Sequence, residues 1–241
     1  MGGCRNEGMR EEGRGKRRMN AGGLDPQTAA LVRVAAALAE GKIPELEARF
    51  AAAREVDVPA LWIEELLLQS MLVVGYPLAL VAFGVWHGMR GGRGGPGGPG
   101  GRGAARPHGD GAEQLAHEDW ESWAVRGAAV CRAVYGRAYH KLLVNLRALH
   151  PALEDLVLVD AYGKVIGRPG LDLKRRELCT VAAIAVLGTA QQLHSHLRGA
   201  LNTGATVTEI EAVLGVIDGD LDPEHRTRAR EQWEDVKGRK L

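Results

Sequence analysis

GLDLKRRELCTVAAIAVLGTAQQLHSHLRGALNTGATVTEIEAVL, residues 170–214, is the stretch that decides the fold. It divides into three helices. Asp172 is a good N-cap, and Leu178, Val181, Ala182 and Ala185 then recur along one apolar face. The second helix covers about 190–202 and ends at Gly204, because glycine suits the left-handed C′ position. Thr206-Val207-Thr208-Glu209 fits a capping box and opens the third, which continues through Ile210, Val213 and Leu214. Short loops between consecutive helices favour antiparallel neighbours, so the first two are expected to form a hairpin.

Leu193, His196, Leu197 and Ala200 share one face of the second helix, which turns His196 inward and His194, with Arg198, to the other side. Glu177 sits near the start of the first helix. An inward histidine and a carboxylate on the neighbouring helix are the constellation in this chain suited to acid–base work. A plainer reading stands beside it: His196 as a satisfied core residue, and Glu177 as a charge favoured at a helix N-terminus.

Outward from this stretch, a repeat is visible. Adding 147 to residue numbers lays residues 23–67 on 170–214 without a gap. Gly23 meets Gly170, Leu24-Asp25 meets Leu171-Asp172, Val34-Ala35-Ala36 meets Val181-Ala182-Ala183, and Gly41 meets Gly188. Glu177 falls on Ala30 and His196 on Arg49, so a site built on that pair is absent from the first copy. The first copy keeps apolar segments around Gly75-Tyr76-Pro77, which the second replaces with a polar tail after Asp218. Each half is therefore incomplete alone, and the halves are expected to pack together or into an oligomer.

Residues 1–23 read as a disordered tail without a signal peptide, 24–87 as the first copy, 88–112 as a Gly/Pro/Arg linker, and 113–241 as the second copy. The run from Leu66 to Trp86 has no charged residue, but Gln69, Ser70 and Gly75-Tyr76-Pro77 interrupt it. It reads as two buried helices that also cover an oligomer interface, not as a membrane span. Between Glu113 and Leu149 the pattern is helical, with Trp120, Trp123, Val130, Val134, Tyr135 and Leu142 as packing residues; Asp160–Gly170 reads as a connection. The formal charge of +1 over 241 residues gives no reason to expect a nucleic-acid partner. Cys4, Cys131 and Cys179 are odd in number and far apart, with no zinc spacing and no disulfide framework, which suits a reducing cytoplasm.

Tyr162-Gly163, Arg168-Pro169-Gly170-Leu171, Arg176-Glu177-Leu178, Ser195-His196, Gly199-Ala200-Leu201 and Gly204-Ala205-Thr206 resemble the carboxymuconolactone decarboxylase family, which includes the AhpD-like alkylhydroperoxidases. The resemblance covers about 24–86 and 135–216 and implies an all-α, AhpD-like helical bundle built from two diverged copies. Redox members carry a Cys-x-x-Cys pair four residues ahead of the histidine. Here Thr189 and Gln192 stand at the cysteine positions, and neither can replace a thiolate. The decarboxylase branch also lacks the cysteines. What the resemblance implies is loss of carbon dioxide from a small carboxylated lactone in aromatic-acid degradation, with no metal and no organic cofactor. His196 would return a proton to carbon and Glu177 would orient it. Arg168, Arg175, Arg176, Thr189 and Gln192 are the expected substrate-binding residues, arginine suiting carboxylates. The alternative is a non-catalytic helical binding or assembly protein, and behind it a thiol redox enzyme.

Overall fold

A computed structural model describes residues 23–91 and 117–239. The expected N-terminal tail up to residue 22, the linker from 92 to 112 and the start of the second copy lie outside the described residues. Among the described residues every regular element is helical. α1 (Pro26–Glu40), α2 (Ile43–Glu55) and α3 (Ala60–Met89) are followed by α4 (Trp120–Tyr135) and α5 (Tyr139–Leu149). A single turn, α6 (Leu153–Asp155), runs into a π-helical segment, Leu156–Ile166. α7 (Leu173–Leu187), α8 (Ala190–Asn202), α9 (Val207–Val216) and α10 (Pro223–Gly238) complete the chain.

The bounds of α1 and α2, moved by 147 residues, are those of α7 and α8. The local causes repeat too. Asp25 and Asp172 each cap their helix by accepting from the backbone N–H three residues on. Gly41 and Gly188 end it in the left-handed region, at φ 72° and 70°. α1 and α7 pack on each other at the centre of the bundle and are buried along most of their length. They bury polar groups as well, Thr28 on α1 and Arg175, Arg176 and Glu177 on α7, and buried polar groups need partners. Alanines at 35, 36, 37, 182, 183 and 185 line this contact region and allow close approach.

Reciprocal contacts show that the copies are related by an approximate two-fold axis. Arg175 Nε donates to Thr28 Oγ1 at 2.8 Å, and these two residues are equivalents, exactly one repeat apart by sequence number. A Cβ on Gly23 would lie 2.7 Å from Thr208, and one on Gly170 would lie 3.1 Å from Leu61. Gly23 is the equivalent of Gly170, and Leu61 of Thr208, so one contact is the mirror of the other in the repeat. A residue i touching j while j's equivalent touches i's is the signature of an isologous interface, here closed within one chain.

Helix α3 holds the long uncharged run. It is broken at Gly75, whose φ of 78° and ψ of 166° are not helical, just before Pro77. Ile63, Leu66 and Leu67 enter the core from its first half, and Ala79, Ala82 and Trp86 from its second. Tyr76 and Leu80 are exposed. Among the described residues it is the helix long and apolar enough to cross a bilayer, and 33% of its most apolar window is buried.

Three expectations are corrected. Asp160–Gly170 is no simple connection, since its first residues belong to the π-helical segment, which packs along α4. The approach is close because Gly127 and Gly163 leave no Cβ between the backbones: one at Gly127 would fall on the Leu158 carbonyl and one at Gly163 on that of Trp123. The polar tail after Asp218 contains α10, capped by Asp222, with Ala229, Trp233 and Val236 buried on one side. Trp120, expected in the packing, is exposed at the start of α4 because only the opposite face meets the π-helical segment.

Candidate active site

The helical hairpin of α7 and α8 brings Glu177 and His196 together. His196 Nδ1 lies 2.9 Å from Glu177 Oε2. The carboxylate is buried, with 2% of its side chain exposed, whereas the imidazole keeps 16%. A carboxylate only accepts, so Nδ1 carries the shared hydrogen and Nε2 is the ring nitrogen left to exchange a proton outward. Gly199, one helical turn beyond His196, makes room for this contact: a Cβ there would lie 2.5 Å from Glu177 Oε2 and 2.8 Å from Val134 Cγ1.

The other wall comes from α4 and the π-helical segment. Tyr135 sets its ring edge-on to His196, with centroids 6.4 Å apart, and edge-on to Tyr162 at 6.2 Å. Burial pushes Tyr135 up to about 12, with Glu177 and Cys131 adding to the effect, and the same causes hold buried Tyr162 well above its ordinary value. Both therefore stay protonated. Cys131 is buried beside them, and desolvation with the nearby Glu177 charge pushes its thiol up to about 12. Cys179, inside α7, is likewise pushed up to about 12 by burial. Neither is the exposed, low-pKa thiolate that peroxidase chemistry needs.

The expected substrate-binding residues fall into two groups. Thr189 and Gln192 are exposed, and Gln192 stands one turn before His196, so the two extend the stripe that carries the imidazole. The arginines are brought together elsewhere, with first-copy partners. Arg168 donates to both oxygens of buried Glu65, at 2.9 Å from Nη2 to Oε1, and Arg176 Nη2 donates to Glu65 Oε2 at 2.8 Å. Arg176 also donates to the carbonyls of Leu171 and Arg168, while Gln69 Nε2 donates to the Arg176 carbonyl and to Thr180 Oγ1. Arg175 bonds Thr28, Asp25 and Asp172 and lies over the Trp62 ring, 4.4 Å from its centroid. With Arg176 fully buried, these cations join the two copies through Glu65, Thr28 and Asp25.

At the equivalent place in the first copy, Arg49 occupies the position of His196 and pairs with Asp220 at 3.1 Å and Glu45 at 2.6 Å. Glu65, Tyr135 and Gly199 are residues that reading the sequence gave no part in the site. Glu65 could have been found as a carboxylate at the head of an uncharged helix, and Gly199 as a glycine on the histidine's face. No spacing brings Tyr135 beside residue 196. Among the described residues no cluster of three or more His, Cys, Asp or Glu could hold a metal ion.

Comparison with known proteins shows the family. The family model described as "Carboxymuconolactone decarboxylase family" matches residues 8–87 and 156–233, well over half of the chain. The 4-carboxymuconolactone decarboxylase of Acinetobacter baylyi is 31% identical over 90 residues, covering 37% of this chain and 67% of that protein. The nitrosuccinic acid decarboxylase of Metarhizium robertsii is 39% identical over 90 residues, covering 36% of this chain and 63% of that protein. Two separate stretches matching one family model, each holding a copy of the same helical hairpin, settle the assignment: the chain belongs to the carboxymuconolactone decarboxylase family.

Proposed function

We propose that the chain is a cofactor-independent decarboxylase of small organic acids, working at the His196–Glu177 pair of its second copy. The observation that carries this reading is the 2.9 Å contact between a buried carboxylate and a part-exposed imidazole. Such a pair can hold a proton on Nε2 and place it where carbon dioxide has left. The two relatives act, by their names, on acids that carry an electron-accepting group: an unsaturated lactone in one, a nitro group in the other. A substrate of that class stores the electron pair itself. In this reading the carbon–carbon bond to the carboxylate breaks, carbon dioxide leaves, and the pair moves onto an oxygen of the accepting group. His196 then delivers its proton to carbon, and water returns one to the imidazole. Glu177 holds the ring in one tautomer and balances its positive charge. Thr189 and Gln192 meet the substrate at the exposed edge of the same stripe.

One observation favours the non-catalytic alternative. A small cleft between α1, α3 and α7, lined by Leu38, Leu66, Gln69, Val73, Cys179 and Thr180, shares no residue with the pair. The test is carbon dioxide release from 4-carboxymuconolactone and from nitrosuccinate by the purified chain, without added metal or cofactor. Turnover of either acid is the expected result. No turnover of either would bring the binding or assembly protein to the front.

A further inference from the structure

A helix leaves its last carbonyls without a partner of its own, and α4 ends at Tyr135, where it packs on α8. One of those carbonyls, that of buried Val134, is answered from across the seam. Asn202 Nδ2, at the end of α8, donates to it at 2.7 Å. Among the described residues this is the hydrogen bond that ties α4 to α8. Gly136 ends α4 at φ 51° and lies against the same amide, where a Cβ would stand 3.2 Å from Asn202 Nδ2. The turn held in this way covers the site. A Cβ on Gly199 would meet Val134 Cγ1 at 2.8 Å and Glu177 Oε2 at 2.5 Å, so the valine and the carboxylate converge on one point of α8. Cys131 and Val134 belong to a small apolar cluster with Tyr139, Tyr162 and Ile166, separate from the core that holds Leu197 and Ala200.

Resting on the decarboxylase reading above, we propose that Asn202 is a positioning residue for the reaction: its amide holds the last turn of α4 over Gly199 and so keeps water from the Glu177 carboxylate that orients His196. Asn202 acts through Val134 and Glu177 and touches neither the substrate nor the reacting atoms. A carboxylate out of water holds the imidazole N–H in a stronger hydrogen bond and balances an imidazolium with less screening. Both effects belong to the delivery of the proton and not to the capture of the substrate. Without the amide, the Val134 carbonyl takes a water instead, the last turn of α4 lifts, and solvent reaches Glu177.

The test compares Asn202→Ala and Asn202→Asp with the unaltered chain and with Thr203→Val, near neutral pH. Asn202 is exposed, so both variants leave the core filled. Asn202→Asp keeps the shape of the side chain and cannot donate, which separates the hydrogen bond from the packing against Gly136. Thr203→Val is the control, since the Thr203 hydroxyl bonds only carbonyls of its own helix, those of Gly199 and Ala200. Both Asn202 variants are expected to lose about 10-fold to 100-fold in kcat on whichever acid the unaltered chain turns over, with KM within about twofold, the pattern of a misplaced catalytic group. Thr203→Val should keep the kcat of the unaltered chain. A second readout needs no substrate. The proton on His196 Nδ1, identified by its absence from His196→Ala, should give a resolved low-field NMR signal in the unaltered chain and in Thr203→Val. Exchange with water should remove it in both Asn202 variants. The signal or the full kcat kept in Asn202→Asp, an equal fall in Thr203→Val, or no such signal in the unaltered chain would each overturn the positioning role and leave the decarboxylase reading standing. An unaltered chain that releases no carbon dioxide from either acid, with the signal lost only in the Asn202 variants, would overturn the decarboxylase reading and leave Asn202 as the residue that keeps Glu177 dry.

Discussion

At the scale of single residues, the site depends on a hydrogen atom's worth of space at Gly199. Its missing Cβ lets the Glu177 carboxylate lie against α8 within reach of His196. Gly199→Ala is therefore expected to destabilise the fold by about 1–3 kcal/mol, the cost of overpacking a filled core, and to slow turnover more than a change of that size elsewhere. Urea denaturation and initial rates measured on the same preparation check this, and a fully active Gly199→Ala chain would contradict it. His196 and Glu177 were legible in the sequence because helical spacing and a repeat that lacks them single them out. Tyr135 was not, because its place beside His196 follows from how α4 crosses the hairpin. The partners of the arginines were not legible for a related reason: composition shows that a guanidinium is present, and only the packed structure shows which carboxylate pairs with it.

At the scale of elements, the paired glycines that end α1 and α7 give a controlled comparison. Both sit at left-handed φ, but a Cβ at Gly41 would meet only the Leu78 side chain at 3.5 Å, whereas one at Gly188 would strike the His225 ring. Gly41→Ala is expected to cost about 1–2 kcal/mol, the price of a left-handed non-glycine residue. Gly188→Ala should cost more, because α10 must also shift. Equal losses on denaturation would show that His225 yields freely. The two hairpins were legible almost to the residue, since each is fixed by a cap, a stop and a periodic face. The π-helical segment was not. Its buried Val159, Tyr162, Gly163 and Ile166 stand at a helical spacing, but Gly163, which admits α4, reads in sequence as a turn residue.

Across the whole molecule, the buried Glu65 joins the copies by answering Arg168 and Arg176 at once. Glu65→Ala leaves both cations without this partner, and a loss of about 3–5 kcal/mol is expected on denaturation, as for other broken buried pairs. A loss near zero would show that the ion cluster is not what joins the halves. The buried thiols and phenol set an alkaline limit. Cys131 and Cys179 are raised from 9.0, and Tyr135 from 10.0, each to about 12, so the folded chain holds protons that the unfolded chain releases. Their contribution is complete below about pH 9 and is lost as pH rises toward 12, so the denaturation midpoint should fall steadily over that window. A midpoint constant from pH 8 to 11 would contradict it. The exposed Tyr76 and Leu80 of α3 bear on the expected homo-oligomer, and light scattering at several concentrations decides between an oligomer and a single chain.

The measurement that bears most directly on the central claim compares carbon dioxide release by the unaltered chain and by His196→Ala at equal thermal stability. The account expects the rate to fall by about 100-fold to 10,000-fold, the range for removing a general acid. Equal rates would leave a decarboxylase whose proton comes from elsewhere, and the His196–Glu177 pair would then be a structural contact between two helices.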